Sequence, residues 1–280
     1  MMNLFHEVSQ DCSRITTEKY STSFSSAIRL LHKDLRTPIC NIYGFVRFAD
    51  EIVDTFHGYD KAMLFEEFKK ATYDAIERGI SLNPILHSFQ MTVNQYGIDH
   101  ALIDAFLYSM ELDLGKHTYD RAGYETYIYG SAEVVGLMCL YIFCEGNQAQ
   151  YDALKPAAKS LGSAFQKVNF LRDLKDDYEV LNRSYFPNIN LGELNAASKQ
   201  IIIDEIEDDF DFAYKNGILK LPVEAKFGVY MAYRYYRRLL KKLKAVPSEK
   251  IMDTRIRISD PMKINLLARS YVKYKLNIIK

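Results

Sequence analysis

The chain has 280 residues, of which 48% are hydrophobic and 26% are charged, and it carries no net charge at pH 7. This size and composition are typical of a globular protein with a sizeable core, and the balanced charge gives no support to a nucleic-acid partner. The 4 cysteines form no Cys-x-x-Cys pair, which argues against a zinc site or a disulfide framework and favours a reducing cytoplasm.

Apolar residues recur at intervals of three and four along the chain, which predicts helices rather than strands. In chain order, we predict helices at 20–33, 37–55, 61–79, 83–92, 99–114, 121–145, 149–180, 195–216, 221–245 and 260–276. The N-terminus has no secretion signal, and the longest apolar run has only about half of the ~20 residues that span a membrane, so we expect no integral membrane segment. No repeat or flexible linker divides the helices, and we predict a single all-α domain over residues 1–280.

The second predicted helix carries a polar strip. Tyr43, Arg47, Asp50 and Asp54 follow one another at spacings of four, three and four, so they lie on one face of the helix. Apolar residues between them supply a packing surface. The strip therefore belongs to a helix that also contributes to a core.

A second strip lies on the helix predicted at 149–180. Gln166, Asn169, Asp173 and Asp177 share one face at spacings of three, four and four. Like charges four residues apart destabilise a helix by about 0.2–0.5 kcal/mol, and a partly buried face makes such stacking less favourable still. A cation between the carboxylates removes this objection.

Each strip contains an Asp-x-x-x-Asp pair, and facing helices of a bundle are where all-α proteins build metal sites. Oxygen ligands without His or Cys favour Mg²⁺, with Mn²⁺ as an alternative, and Mg²⁺ commonly joins one or two carboxylates to substrate phosphates. Arg47 and Arg172 lie beside the acidic residues and are suited to phosphate oxygens. For a single pair the alternative is a solvated, salt-bridged face, but two such pairs favour a metal site.

Several motifs occur in an order typical of one family. The second strip reads Gln-x-x-Asn-x-x-Arg-Asp-x-x-x-Asp and is followed by Arg-x-Tyr-x-Pro at Arg183, Tyr185 and Pro187. Four further segments match in order, namely YSTSFSSAIRLL, MELDL, YIYGSAEVVG and TRIRISDPMK. Together with the first strip, this pattern resembles the squalene and phytoene synthase family, the head-to-head prenyl transferases, over roughly residues 20–270.

The resemblance implies an all-α isoprenoid synthase fold, a helical bundle around a central cavity, and a Mg²⁺-dependent prenyltransferase acting on prenyl diphosphates. Within this family, the sequence most resembles the bacterial phytoene synthases of carotenoid biosynthesis. The implied reaction condenses two geranylgeranyl diphosphates to phytoene through a cyclopropylcarbinyl diphosphate, without NADPH. The alternatives are formation of dehydrosqualene or squalene from farnesyl diphosphate, and a non-catalytic relative that binds an isoprenoid. Substrate length, use of NADPH and oligomeric state stay open.

The resemblance also implies roles for individual residues. The implied metal ligands are Asp50, Asp54, Asn169, Asp173 and Asp177. The implied substrate contacts are Ser21, Ser23, Arg47, Gln166, Asn169, Arg172, Tyr236, Arg255 and Lys263. The four aspartates count as catalytic together with two cavity tyrosines, Tyr43 and Tyr127. A packed core tyrosine is the alternative for Tyr127, and helix capping is the alternative for Ser21 and Ser23.

Two further features bear on substrate and location. Ser131 and Glu133 stand in a segment where the family usually has Val-Ala-Gly, which puts substrate length in question. The basic stretch 233–245 contains Leu239, Leu240 and Leu243 and is compatible with peripheral contact between the protein and anionic lipid at the inner membrane surface. The alternative is a solvated helix end whose cations interact favourably with the helix dipole.

Overall fold

The computed structural model describes residues 2–115, 118–179, 183, 185–187, 195–251 and 256–276, except for the side chains at 176–179 and 249. Every regular element in this part of the chain is a helix, which confirms the predicted all-α fold. The twelve α-helices described there are α1 (Met2–Tyr20), α2 (Thr22–Ile28), α3 (Lys33–Thr55), α4 (Lys61–Arg78), α5 (Pro84–Tyr96), α6 (His100–Leu112), α7 (Arg121–Ile128), α8 (Val134–Cys144), α9 (Gln148–Glu179), α10 (Ala196–Asn216), α11 (Val223–Ala245) and α12 (Asp260–Lys275).

Each predicted helix corresponds to an observed one, but α1 was not predicted. Its buried face is polar and consists of Ser9, Ser13, Thr16 and Thr17. Small side chains let α1 lie close to its neighbours, and the hydroxyl oxygen of Ser13 is 2.6 Å from that of Ser88 on α5. A hydrophobic period does not mark such a face, which explains why the sequence pattern missed this helix.

The two helices that carry the polar strips are anchored through their apolar faces. Phe45 of α3 is fully buried and stacks on Phe89, with 3.9 Å between the ring centroids. On α9, Phe170, Leu171 and Leu174 are buried in a second apolar cluster. Burial of one such side chain stabilises the fold by about 1.5–3 kcal/mol. This packing holds both strips in place, with the charged residues on the other side of each helix.

Helices α7 and α8 are continuous through a π turn at Tyr129–Glu133. Gly162 of α9 lies directly against this turn, because a Cβ at Gly162 would be 2.8 Å from the carbonyl oxygen of Ala132. Gln166 follows Gly162 by about one helical turn. The close approach therefore brings the second polar strip next to the π turn.

One helical segment of the described chain, Arg121–Cys144, is long and apolar enough to span a membrane. Half of its most apolar stretch is buried inside the protein, and Leu137 and Met138 are fully buried in the core. A core helix of a bundle meets the same criterion of length and composition, and these contacts favour that role for Arg121–Cys144.

The three leucines considered for contact with lipid lie in the core. Leu239, Leu240 and Leu243 of α11 are 7%, 1% and 0% exposed and pack in the same apolar cluster as the α9 side chains. They are not available to a lipid surface, so this interpretation of 233–245 is wrong. The hydrophobic spacing identified an apolar face correctly but not the helices that cover it.

Candidate active site

A cavity of about 470 Å³ lies between α2, α3, α8, α9 and α11, within the size range of small-molecule sites. Most of its wall consists of aliphatic and aromatic side chains. The polar side chains of the wall are Tyr20, Ser21, Tyr43, Arg47, Ser131, Gln166, Asn169, Arg172 and Tyr236. Seven of these nine were predicted as substrate contacts or catalytic residues, so the structure brings these seven together around one cavity.

Arg47 connects the first strip to the cavity. Its Nη1 donates a hydrogen bond to Asp50 Oδ2 at 2.5 Å, and its Nη2 pairs with Glu51. The ring of Tyr20 covers the guanidinium, with 4.4 Å from the guanidinium carbon to the ring centroid, a cation–π geometry. One turn earlier, burial raises the pKa of Tyr43 to about 12, so its hydroxyl stays protonated at neutral pH.

Asp50 and Asp54 lie about one and two turns after Arg47 on α3, and neither is part of the cavity wall. Burial and the nearby Asp54 carboxylate raise the pKa of Asp50 to about 7. Arg183 Nη1 donates to Asp54 Oδ1 at 2.7 Å. Neighbouring carboxylates are stabilised by positive charge beside them. Arg47, which pairs with Asp50, and Arg183, which pairs with Asp54, supply such charge.

A chain of hydrogen bonds orders the second strip. The Tyr236 hydroxyl donates to Asn169 Oδ1 at 3.3 Å, and Asn169 Nδ2 donates to Gln166 Oε1 at 3.4 Å. Gln166 Nε2 donates in turn to Ser131 Oγ of the π turn at 3.2 Å. Phe165 stacks on Tyr236 with 4.0 Å between ring centroids. The chain runs along the polar wall from α11 through α9 to the π turn and orients both side-chain amides.

Arg172 is the cavity-lining cation of α9. Its Nε donates to Asp173 Oδ1 at 2.9 Å, and its Nη2 pairs with Asp173 Oδ2. Asp173 is not part of the cavity wall. The side chain of Asp177 and all of Arg255 lie outside the described residues. The arrangement repeats that of α3, where an arginine on the wall pairs with an aspartate behind it.

The side chains of the described residues form no group of three or more His, Cys, Asp or Glu suited to a metal ion. They do offer oxygen donors in pairs, Asp50 with Asp54 on α3 and Asn169 with Asp173 on α9. Such donors fit Mg²⁺ or Mn²⁺ better than Zn²⁺. The chemistry of these residues therefore fits a hard divalent cation, and the set of metal ligands stays a prediction.

A buried polar network behind the first strip joins the predicted residues Asp54 and Tyr127 to three residues that were not predicted as site residues, Asp113, Arg183 and Tyr185. Arg183, with 4% of its surface exposed, donates through Nη2 to the Asp113 carbonyl oxygen at 2.9 Å and reaches the Asp54 carboxylate through Nη1. The Tyr127 hydroxyl donates to Asp113 Oδ2 at 2.6 Å and lies 3.4 Å from the Tyr185 hydroxyl. Burial raises the pKa of Asp113 to about 7, although Arg183 opposes the shift. This network ties Asp54 to the end of α6.

The same network contains Tyr127, which is 3% exposed and is not part of the cavity wall. The structure thus places it among packed side chains, as in the alternative considered for it. Asp113 and Arg183 lie in segments that contribute to the family resemblance, MELDL and Arg-x-Tyr-x-Pro. Sequence spacing gave no signal that joins either of them to Asp54, because 129 positions separate Arg183 from Asp54.

The remaining predicted contacts lie around α2. Ser21 lines the cavity, and its hydroxyl also accepts a hydrogen bond from the Phe24 amide at 3.1 Å as the N-cap of α2. Ser23 is half-buried and is not part of the cavity wall. Lys263 Nζ donates to Thr22 Oγ1 at 2.6 Å. This contact brings the start of α12 beside the cavity-lining serine.

Comparison with known proteins gives related sequences over most of the chain. The family model described as squalene/phytoene synthase matches residues 17–261. Phytoene synthase 2 of Solanum lycopersicum is 25% identical, over 97% of this chain and 92% of that protein. The 4,4'-diapophytoene synthase of Staphylococcus haemolyticus is 27% identical, over 74% of this chain and 70% of that protein. The match to phytoene synthase 1 of Arabidopsis thaliana is 25% identical and spans 61% of that protein, less than two thirds of its length.

Solved structures show the same fold. A crystal structure of a dehydrosqualene synthase superposes with a TM-score of 0.80 at 20% identity, covering 96% of this chain and 98% of that one. The squalene synthase HpnC of Alicyclobacillus acidocaldarius superposes with a TM-score of 0.73 at 19% identity, covering 85% and 94%. With the family model matched from residue 17 to residue 261, this protein belongs to the squalene/phytoene synthase family of head-to-head prenyltransferases.

Proposed function

We propose that this protein is a Mg²⁺-dependent enzyme that joins two geranylgeranyl diphosphates head to head to form phytoene. The observation that carries the proposal is the meeting of two arginine-bearing acidic strips at one apolar cavity, with Arg47 of α3 and Arg172 of α9 both in its wall. Relatives named phytoene synthase support this product. A relative named 4,4'-diapophytoene synthase and the dehydrosqualene synthase structure support farnesyl diphosphate as the alternative substrate.

The first task of the site is to hold the charge of a leaving diphosphate. Arg47 and Arg172 line the cavity, and their guanidinium groups can donate several hydrogen bonds to diphosphate oxygens. The Ser21 hydroxyl lines the same wall and adds a further donor. Mg²⁺, when bound by the carboxylates of Asp50 and Asp173 and their neighbours, supplies further neutralisation of the leaving group.

The second task is to protect an allylic cation from water. The largely apolar wall keeps bulk water away from the reacting carbons. Aromatic faces line the cavity beside the polar groups, with Phe165 stacked on Tyr236 and Phe24 at 5.9 Å from Tyr43 between ring centroids. Such faces stabilise positive charge. Because the pKa of Tyr43 is raised to about 12, this phenol acts as a neutral hydrogen-bond donor and not as a phenolate.

The test is a product assay with purified protein, Mg²⁺ and geranylgeranyl diphosphate in the absence of NADPH. We expect Mg²⁺-dependent release of diphosphate and formation of phytoene, identified by mass spectrometry. Replacement of Mg²⁺ by Mn²⁺ is expected to retain part of the activity, and EDTA is expected to remove it. Conversion of farnesyl diphosphate instead would reject phytoene as the product while retaining the aspartate site.

The assay also separates catalysis from simple binding. A non-catalytic relative would bind a prenyl diphosphate in the cavity without releasing diphosphate. We therefore propose that equilibrium binding of a non-hydrolysable prenyl diphosphate analogue be measured alongside turnover. Tight binding of the analogue with no release from either substrate would favour the binding protein over the enzyme.

A further inference from the structure

Helix α12 presents an apolar stripe to solvent. Ile264, Val272 and Leu276 are 67%, 55% and 64% exposed, and Ala268 between them is also exposed. These four residues, here called the outer stripe, follow one another at intervals of four and therefore lie along one face. Single exposed apolar residues are ordinary, whereas a continuous stripe of them marks an interaction surface.

The opposite face of α12 already anchors the helix to the protein. Leu266 is 8% exposed and Ser270 is fully buried. Tyr274 packs on Phe227 of α11, with 4.7 Å between the ring centroids. The core therefore does not use the outer stripe.

The charges on α12 are mostly positive. The helix carries Lys263, Arg269, Lys273 and Lys275 and the single acidic residue Asp260. Asp260 is exposed and lies 3.1 Å from Lys263 Nζ, so these two charges offset each other at the start of the helix. Three basic residues are sequence neighbours of the outer stripe, namely Arg269, Lys273 and Lys275. No acidic residue of α12 lies next to them in the sequence. Long basic side chains can extend from an apolar face toward lipid phosphates.

This charge pattern favours an anionic partner over a second copy of the chain. Two copies joined through the same face would bring Arg269, Lys273 and Lys275 of one helix against those of the other. Like charges across an interface oppose association. An anionic lipid surface instead accepts both the apolar stripe and the basic residues.

The start of α12 also lies near the cavity. Lys263 donates to Thr22 at 2.6 Å, and the adjacent Ser21 lines the cavity. A surface that docks this end of the molecule on a bilayer would bring the cavity close to lipid, where prenyl substrates and a hydrocarbon product are most soluble.

We propose that α12 is an interfacial helix whose outer stripe rests at the headgroup boundary of an anionic bilayer, with Arg269, Lys273 and Lys275 at the lipid phosphates. The reason for docking rests on the proposed function, since it concerns the supply of prenyl diphosphates and the release of a hydrocarbon. The docking surface itself rests on exposure and charge, and it is tested without any substrate.

The experiment is co-sedimentation with vesicles of phosphatidylcholine alone and with vesicles of phosphatidylcholine and phosphatidylglycerol in equal parts. We expect the protein to bind the anionic vesicles and not the neutral ones, with binding weakened by salt. Val272→Glu with Leu276→Glu is expected to lower binding about tenfold or more, because two apolar side chains leave the boundary and two negative charges enter it. Lys273→Gln is expected to lower binding about fivefold.

The matched control is Ile201→Glu with Phe212→Glu on α10, where these residues are 64% and 44% exposed. It makes the same change in net charge at another exposed apolar site, and we expect it to bind anionic vesicles as the unmodified protein does. Equal losses in the two double variants would overturn the proposal, because they would reflect net charge alone.

Two other results would also overturn it. One is no binding of the unmodified protein to anionic vesicles. The other is a dimer in sedimentation velocity that Val272→Glu with Leu276→Glu dissociates, since the outer stripe would then belong to a contact between copies. Diphosphate release in detergent solution is measured separately, so a failure of docking is distinguishable from a failure of the proposed function.

Discussion

Replacing Arg183 with methionine tests the buried network that holds the first strip. The Arg183 side chain is 5% exposed and lies 3.6 Å from an Asp113 oxygen whose side chain is 3% exposed. It also pairs with Asp54 at 2.7 Å. Methionine keeps much of the length of arginine but has no charge and no donor. The substitution therefore leaves two carboxylates without their common cation.

Removal of one partner from a buried ion pair costs about 3–5 kcal/mol, because the remaining charge stays uncompensated. For a chain of this size, that corresponds to a fall in Tm of roughly 10 °C. Burial raises the pKa of Asp113 to about 7, so the folded state favours its protonated form and the stability associated with that form is lost as pH rises. Loss of Arg183 raises this pKa further. The deficit of Arg183→Met relative to the unmodified protein should therefore grow between about pH 5 and about pH 8.

The measurement is urea denaturation followed by far-ultraviolet circular dichroism, in EDTA and at both pH values. Arg172→Met is the matched control, because the Arg172 side chain is 22% exposed and pairs with its chain neighbour Asp173. We expect this control to cost less than about 1 kcal/mol. Adding Asp113→Asn to Arg183→Met should recover part of the lost stability. Equal losses in Arg183→Met and Arg172→Met, with no dependence on pH, would refute the role given to the network.

Four further variants test the two polar strips and the π turn beside them. Asp50→Asn and Asp173→Asn are each expected to abolish Mg²⁺-dependent diphosphate release with Tm unchanged or slightly higher, because each removes a repelling carboxylate; near-normal turnover in both would reject the site. Ser131→Ala removes the acceptor for Gln166 Nε2 and should lower kcat about fivefold, with stability within about 1 kcal/mol; an unchanged kcat would show that the hydrogen-bond chain is not needed. Gly162→Ala puts a Cβ 2.8 Å from a carbonyl oxygen of the π turn and should cost about 1–3 kcal/mol in urea titration, whereas a more stable variant would show that α9 has room to move.

The sequence predicted most helices because their buried faces are apolar and repeat every three to four residues. Helix α1 lacks that signal, because residues of its buried face such as Ser13 and Thr17 are polar and give no hydrophobic period. Helices α11 and α12 show a second limit. Both have apolar faces, but Leu240 is buried and Ile264 is exposed. Spacing reveals an apolar face, and only the tertiary arrangement reveals whether another helix covers it.

The two polar strips were predictable because each is local to one helix. Spacings of three and four placed Arg47 with Asp50, and Gln166 with Asn169, without knowledge of the fold. The contact between Arg183 and Asp54 joins positions that are 129 residues apart. No local pattern encodes such a contact, so the network behind the first strip became visible only when the helices were assembled.

The arginines of the site offset the repulsion between its stacked carboxylates. Asp50 pairs with Arg47, and Asp173 pairs with Arg172, so repulsion along each helix does not by itself require a metal ion. The arginines line the cavity, whereas their aspartate partners lie behind them. A diphosphate that enters the cavity therefore meets the guanidinium groups first and competes with the aspartates for them. Under the proposed function, this exchange makes the carboxylates available to a divalent cation, so that diphosphate and cation each strengthen the binding of the other.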